Sequence, residues 1–216
     1  MTDRAFSAGV SGFLSVLGVC LGACTSAAAQ ETSPAFKAPC SGAPAWANTA
    51  VRYDEFDFWL GEWHVYVADT GELRGFDIIS RDLEGCAIRQ VWRSMDDAYA
   101  PKGAPWRYSG TSLTGVSPEG VWRQIFIDNV GTNLVLTGGL QDDGTRKLTS
   151  EYFNMPRADG STSRLRYVWL WRPNDDGTIR NWGFVEPEEG EAQQYFELIY
   201  RRNAPGSGAK AVLEKR

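Results

Sequence analysis

The chain has 216 residues, of which 43% are hydrophobic and 23% are charged. This is enough apolar material for one ordinary folded domain and too much for a disordered chain. The formal net charge of -5 gives no sign of the clustered basic face that a nucleic-acid partner requires. Nine tryptophans, within an aromatic content of 12%, favour β-structure or an aromatic-lined cavity. We therefore expect one domain and no nucleic-acid partner.

The N-terminal segment has the composition of an export signal. Between Arg4 and Glu31 the chain carries no charged side chain and is mostly apolar or small, which indicates a signal peptide rather than a membrane span. Two cleavage sites compete: LGAC at 21–24 matches the bacterial lipobox, and AAAQ at 27–30 fits an ordinary small-residue site. We expect a signal peptide over 1–23 and an exported, periplasmic protein. Contact with a membrane would occur only through a lipid anchor on Cys24.

The next segment, 24–53, is rich in Ala, Pro and Ser and predicts a flexible arm with Trp46 as its one large anchor. Once the export segment is set aside, Cys40 and Cys86 remain for the folded part. In an oxidising compartment two cysteines suggest one disulfide, and the alternative is two unpaired thiols. A bridge would close a loop of about 47 residues and stabilise the fold by on the order of 4 kcal/mol.

The body of the chain, 54–202, alternates strand-like runs with turn signals, among them three Asp-Gly dipeptides. No long helical period interrupts them, so we expect an antiparallel meander. An open meander would expose an edge, and closing the last strand against the first removes it. The predicted fold is therefore all-β: a closed antiparallel up-and-down barrel of about ten strands, with an irregular N-terminal arm and a disordered tail over 203–216. The predicted strands are 59–68, 73–83, 86–95, 106–116, 121–128, 132–140, 145–155, 161–171, 178–186 and 191–202.

The stretch FDFWLGEWHVYV at 56–67 reads as a short helical turn that runs through Gly61 into the first strand. Trp63 lies two residues further on, and its indole is expected to fill one end of the barrel. A Gly-x-Trp at the start of a meander that ends in an arginine pair resembles the calycin superfamily of lipocalins and fatty-acid-binding proteins. In that superfamily an arginine of the last strand packs on the tryptophan. The resemblance implies that Arg201 or its neighbour Arg202 does so here, and we assign Arg201 as structural together with Gly61 and Trp63.

A narrower resemblance rests on three further runs of sequence. FDFWLGEW at 56–63, GCAI at 85–88 followed by Trp92, and WRQ at 122–124 followed by Asp128 are similar to an uncharacterised family of exported bacterial proteins. That family has a lipocalin-like barrel. The resemblance implies fold and export, and it brings no established activity.

Several kinds of chemistry are excluded by what the sequence lacks. It has no P-loop, no dinucleotide-binding glycine fingerprint, no Gly-x-Ser-x-Gly elbow and no metal-spaced Cys/His cluster. His64 is the single histidine and should point to the opposite face of its strand from Trp63. A haem ligand is the alternative reading of His64, and a surface position is the expected one. We expect no metal and no cofactor.

The remaining candidates for acid–base catalysis are three carboxylates, Asp128, Glu151 and Glu186. Each stands near the end of a predicted strand or beside a polar residue, so a solvated rim position is expected for all three. A raised pKa at Glu151 or Glu186 inside a closed pocket would instead favour an enzyme. The sequence therefore assigns no catalytic residue.

Polar and aromatic side chains share strand faces in a way that suggests a ligand cavity. Residues two apart on a strand lie on the same side, and an aromatic wall with a few directed polar groups is what a small-molecule site needs. The alternatives are that these rings fill the barrel or that some face outward. The residues assigned to ligand binding are Gln90, Trp92, Trp122, Gln124, Phe126, Tyr167, Trp169 and Trp182.

Three functions follow from these patterns. The leading hypothesis is an exported barrel that binds a small hydrophobic or amphipathic molecule in an aromatic-lined cavity. The second is a cavity enzyme of the isomerase or cyclase type that uses a carboxylate or a tyrosine. The third is a structural lipoprotein with a filled barrel. We favour binding over catalysis, and the sequence does not indicate an oligomeric state.

Overall fold

The computed structural model describes Cys40 and residues 52–95 and 103–203. The predicted signal peptide, the lipidation site at Cys24, the Trp46 anchor and the predicted tail beyond 203 lie outside the described residues. Within the described part the chain forms eleven β-strands and two short 3-10 turns, Asp57–Trp59 and Leu83–Gly85. The strands are β1 (Gly61–Val67), β2 (Leu73–Asp82), β3 (Ala87–Ser94), β4 (Ser109–Val116), β5 (Trp122–Asp128), β6 (Asn133–Leu140), β7 (Arg146–Ser150), β8 (Phe153–Pro156), β9 (Thr162–Pro173), β10 (Ile179–Pro187) and β11 (Gln193–Arg202).

Ten of these strands close into an antiparallel barrel, as the sequence predicts. Strands β1 to β7 pair in chain order, β7 pairs with β9, and β9 continues through β10 to β11. The last strand then pairs with the first, with Trp63 opposite Arg202 and Val67 opposite Leu198. Closure leaves no exposed edge along the ring, which removes the hazard of an open meander. The architecture is compatible with a calycin-like fold.

One predicted strand, 145–155, is two strands in the structure. It breaks at Glu151 and Tyr152 into β7 and β8, which both pair with β9, and the register shifts by one residue between them. At the break the Ser150 hydroxyl accepts a hydrogen bond from the Tyr167 backbone amide at 2.9 Å. The Ser150 side chain thus accepts a backbone hydrogen bond of the neighbouring strand β9. Strand β8 pairs only with β9 and is an extra strand outside the ring.

The three Asp-Gly dipeptides form turns with a common hydrogen-bond pattern. In each turn the aspartate carboxylate accepts from the backbone amide two residues further on, which is the Asx arrangement that makes Asp a turn residue. The glycine that follows has a positive φ of about 80°, so it takes the left-handed conformation that other residues avoid. The acceptor and donor pairs are Asp143 with Thr145, Asp159 with Ser161 and Asp176 with Thr178.

Five aromatic rings close one end of the barrel, and we call them the aromatic plug: Phe56, Trp59, Trp63, Trp122 and Trp171. All are almost completely buried. The 3-10 turn Asp57–Trp59 carries Phe56 and Trp59 beneath the strand ends, with the Phe56 ring centroid 4.8 Å from that of Trp122 and the Trp59 centroid 5.6 Å from that of Trp171. Tilted and edge-on rings at these separations pack favourably. The plug therefore makes this the closed end of the barrel.

Trp63 and Arg202 join the first strand to the last at the closed end. The guanidinium of Arg202 lies 4.4 Å from the centroid of the Trp63 ring, and its Nη1 donates to the Leu60 carbonyl at 3.0 Å. Trp63 Nε1 donates to the Trp59 carbonyl at 2.8 Å. Gly61 has a φ of 139°, and a Cβ at this position would meet Arg202 Nη1, so only glycine suits it.

The arginine over the tryptophan is therefore Arg202, which corrects the assignment of Arg201. Arg201 lies 4.8 Å from the ring centroid of Tyr66 instead. The physical reason is strand register: Trp63 pairs with Arg202, so their side chains share a face, whereas Arg201 pairs with His64 on the opposite face.

The predicted disulfide between Cys40 and Cys86 is present. Cys86 follows the 3-10 turn Leu83–Gly85 between β2 and β3, and the Cys40 side chain is buried. The bridge joins positions 46 residues apart and fixes Cys40 at the closed end of the barrel.

Replacing Trp63 by Ala should lower the free energy of unfolding by about 3 to 5 kcal/mol, because it empties a fully buried aromatic site. Chemical denaturation measures the loss. Trp182→Ala is the matched control, since Trp182 lies half-buried on the outer face and should cost less. An unchanged melting temperature combined with lost ligand binding would show that Trp63 belongs to the ligand site and not to the packing of the closed end.

Replacing Cys40 and Cys86 together by Ala should lower the free energy of unfolding by about 2 to 4 kcal/mol, because the unfolded chain regains the freedom of the closed loop. The measurement is denaturation of both proteins with and without a reductant, which should weaken only the parent. Peptide mapping of denatured, unreduced protein should find Cys40 and Cys86 joined. Two free thiols at these positions would contradict the bridge.

Candidate ligand cavity

A cavity of about 760 Å³ occupies the half of the barrel opposite the aromatic plug. This volume is within the range of small-molecule sites. Loop residues on its rim, among them Ala68 and Asp69 between β1 and β2 and Val130 between β5 and β6, mark the open end of the barrel. The cavity therefore opens at this end and reaches the plug residue Trp171 at depth.

Aromatic side chains form the walls of the cavity. Phe126 of β5 meets Trp169 of β9 edge to face, with ring centroids 5.1 Å apart. The ring centroids of Tyr167 and Tyr195 are 5.4 Å apart, and Trp169 Nε1 donates a hydrogen bond to the Tyr195 hydroxyl. These rings present flat apolar surface to a ligand while their edges are fixed by one another.

Two glycines on neighbouring strands make room for these rings. A Cβ at Gly75 of β2 would meet the ring of Trp92 and the Arg93 carbonyl, and a Cβ at Gly110 of β4 would meet the Phe126 ring. Each glycine lies on a strand that pairs with the ring-bearing strand, so the ring packs closely against bare backbone. The aromatic walls thus depend on glycines of the adjacent strands.

A chain of polar groups crosses the interior at mid-barrel, and we call it the polar floor: Tyr200, Asp77, Gln90, Ser112 and Gln124. The Tyr200 hydroxyl and Gln90 Nε2 both donate to Asp77 Oδ2, at 3.1 and 2.7 Å. The Ser112 hydroxyl donates to Gln90 Oε1 at 2.9 Å, and Gln124 Nε2 donates to the Ser112 oxygen at 3.1 Å. Tyr200 and Gln90 line the cavity itself, and Asp77 lies behind them.

Asp77 is the fully buried carboxyl group of this network. Burial raises its pKa to about 8, against the opposing hydrogen bonds from Gln90 and Tyr200. Its Oδ1 has no hydrogen-bond partner. Burial, together with the neighbouring Asp77, also raises the pKa of Tyr200 well above its ordinary value. Near pH 7 both groups are therefore neutral.

Five of the eight residues assigned to ligand binding line the cavity: Gln90, Trp92, Phe126, Tyr167 and Trp169. The other three lie elsewhere. Trp122 belongs to the plug, where its Nε1 donates to Glu55 Oε2 at 2.8 Å, and Gln124 is fully buried at the far end of the polar floor.

Trp182 does not line the cavity. Its neighbour Asn181 does, so strand alternation turns the Trp182 ring to the outer face, where the Arg180 guanidinium lies 4.3 Å from its centroid.

The three carboxylates that the sequence offers for acid–base catalysis are either exposed or held by hydrogen bonds and an ion pair. Asp128 lies on the rim, where it accepts from the Tyr108 hydroxyl at 2.9 Å and from the backbone amides of Val130 and Thr132. Glu186 pairs with Arg166 at 2.7 Å, and Glu151 is exposed. None of them is a buried acid.

The interior acid Asp77 and its partner Tyr200 are not among the residues predicted from the sequence. A signal was available, since Asp77 stands between Gly75 and Ile79 on one face of an apolar strand, and all three are buried. An acid at an inward position of such a strand must be hydrogen-bonded or protonated.

His64 lies on the outer face, with its ring centroid 4.6 Å from that of Phe76. The described residues contain no group of three or more His, Cys, Asp or Glu side chains arranged to hold a metal ion. Nor does this part of the chain have a helix with the length and hydrophobicity needed to cross a membrane.

Comparisons with known proteins supply no function for this chain, so its function is argued from the structure. No family model matches the chain, and no curated protein matches its sequence.

Replacing Asp77 by Asn should flatten the pH dependence of stability between about pH 5 and 8. With a pKa near 8 in the folded state and 3.8 as its ordinary value, Asp77 is protonated when folded and ionised when unfolded across this window. The parent therefore loses stability as pH rises, by on the order of a few kcal/mol, and the variant does not. Denaturation at pH 5, 6, 7 and 8 measures the difference, and equal slopes would contradict a buried neutral acid.

Proposed function

We propose that this chain is an exported protein that binds a small hydrophobic or amphipathic molecule in the cavity of its barrel. The observation that carries the proposal is the cavity of about 760 Å³, open at one end and walled by Trp92, Phe126, Tyr167 and Trp169. Apolar walls with a few fixed polar groups at depth are the usual form of a small-molecule site.

Export rests on two features of the chain. The uncharged N-terminal segment with its lipobox at Cys24 has the form of a signal peptide. The Cys40–Cys86 disulfide is of the kind found in oxidising compartments. We propose a periplasmic location with an N-terminal lipid anchor, and membership of the family of exported bacterial barrels that the FDFWLGEW run resembles.

Two alternatives have less support. A filled structural barrel would have no cavity of this size. A cavity enzyme would need an acid or base that reaches the substrate, and the three carboxylates considered for that role are exposed or have structural partners. Asp77 is neutral near pH 7 but lies behind Gln90 and Tyr200, so it acts on a ligand only through them.

The test is ligand screening by tryptophan fluorescence and thermal shift with fatty acids, terpenoids, steroids and aromatic compounds. A ligand should quench emission and raise the melting temperature of the parent. Trp169→Ala should weaken binding about tenfold or more, because it removes a wall of the cavity. Trp182→Phe, on the outer face, is the control and should bind as the parent does. If no compound class changes either signal, the binding proposal fails.

A further inference from the structure

The polar floor meets the cavity at two side chains, Tyr200 and Gln90, and its hydrogen-bond directions restrict what a ligand can offer there. We propose that the ligand is a neutral alcohol, which enters with its hydroxyl group foremost and donates that hydrogen to the Tyr200 oxygen. This inference rests on the proposed function and specifies the chemical class that the same cavity takes.

The Tyr200 hydroxyl hydrogen and one of the two Gln90 amide hydrogens are already in use. The Tyr200 hydroxyl donates to Asp77 Oδ2, and the Gln90 amide donates to the same oxygen. Gln90 Oε1 in turn accepts from the Ser112 hydroxyl. A phenol that has donated its hydrogen keeps an oxygen lone pair for a further donor. Tyr200 therefore presents an acceptor oxygen to the cavity, and the hydroxyl group of a ligand satisfies it.

An anionic group fits the floor poorly. A carboxylate would lose its hydration beside the Asp77 carboxyl group, where Tyr200 has no hydrogen left to donate and Gln90 has at most one. Such desolvation is costly. Among the described lining residues the one cationic side chain is Arg74, the second residue of β2, close to the rim. It is therefore placed at the wrong end of the cavity to neutralise an anion at the floor.

A cationic group is not favoured at the floor either, because two of the lining acids have partners and the third, Asp69, lies on the rim. Glu197 accepts from Arg180 at 2.7 Å and from Gln194 at 2.8 Å. Asp128 holds the Tyr108 hydroxyl and two backbone amides, as described above. A fully buried Asp77 that is neutral at pH 7 supplies no counter-charge at the floor. The walls above it offer aromatic faces, which suit a flat apolar body.

The experiment uses the full chain and five probes that share one flat skeleton. They are pyrene, 1-pyrenemethanol, its methyl ether, 1-pyrenecarboxylate and 1-pyrenemethylamine. Dissociation constants come from the fluorescence anisotropy of the probe at pH 7. The ether keeps the oxygen of the alcohol and carries a methyl group in place of the hydrogen that Tyr200 is expected to accept.

The alcohol should bind about fivefold more tightly than the ether, the typical effect of one neutral hydrogen bond. The carboxylate and the amine should bind more weakly than the alcohol by about tenfold or more. Tyr200→Phe should abolish the preference for alcohol over ether. Asp77→Asn should keep that preference, since an amide oxygen still accepts from Tyr200, and it remains informative if the Phe variant fails to fold.

The inference is wrong, with the proposed function intact, if pyrene binds but the ether, the carboxylate or the amine binds as tightly as the alcohol. It is also wrong if Tyr200→Phe keeps the full alcohol preference. If none of the five probes binds and the wider screen is also negative, the proposed function fails and this inference fails with it.

Discussion

The structure depends on the contact between Trp63 and Arg202, because it joins the two ends of the sheet at the point where the barrel closes. A guanidinium 4.4 Å above a buried indole combines cation–π attraction with hydrophobic contact, and the same guanidinium holds the Leu60 carbonyl. Gly61 is the condition for this contact, since a side chain there would occupy the place of Arg202 Nη1. Closure in turn places Tyr200, two residues before Arg202, beside Asp77 in the interior. The seam that closes the fold therefore also assembles the polar floor.

The stability of the fold does not explain why polar side chains form this floor. A carboxyl group with a pKa raised to about 8 and one unpartnered oxygen makes folding less favourable at neutral pH than an apolar residue of similar size would. The plug a few ångströms deeper shows that this chain fills barrel space with rings where only packing is needed. Polar groups at mid-barrel therefore fit the proposed role in ligand recognition, which itself rests on the cavity.

Much of the fold follows from local sequence rules, and the predictions that were wrong have physical causes. Alternating side chains, Asp-Gly turns and the Gly61-x-Trp63 stretch predict the strands, their antiparallel order and the closed end, and the pair of cysteines predicts the bridge. Local patterns carry no information about long-range register, which is why Arg201 was chosen over Arg202. The break at Glu151 was missed because it depends on a hydrogen bond between Ser150 and Tyr167, a neighbour distant in the chain.

The cavity was predicted less completely than the fold, because alternation tells which residues share a face but not how deep each lies. Trp122 and Phe126 share a face of β5, yet the first belongs to the plug and the second to a cavity wall, four residues nearer the open end. Depth along the axis is set by strand tilt and by where the plug begins, and both depend on the whole closed ring. Since the plug closes one end, a ligand of the proposed kind would have to enter and leave by the other. Rim residues such as Asp128 would then lie on its route, whereas Tyr200 and Gln90 would contact only its leading end.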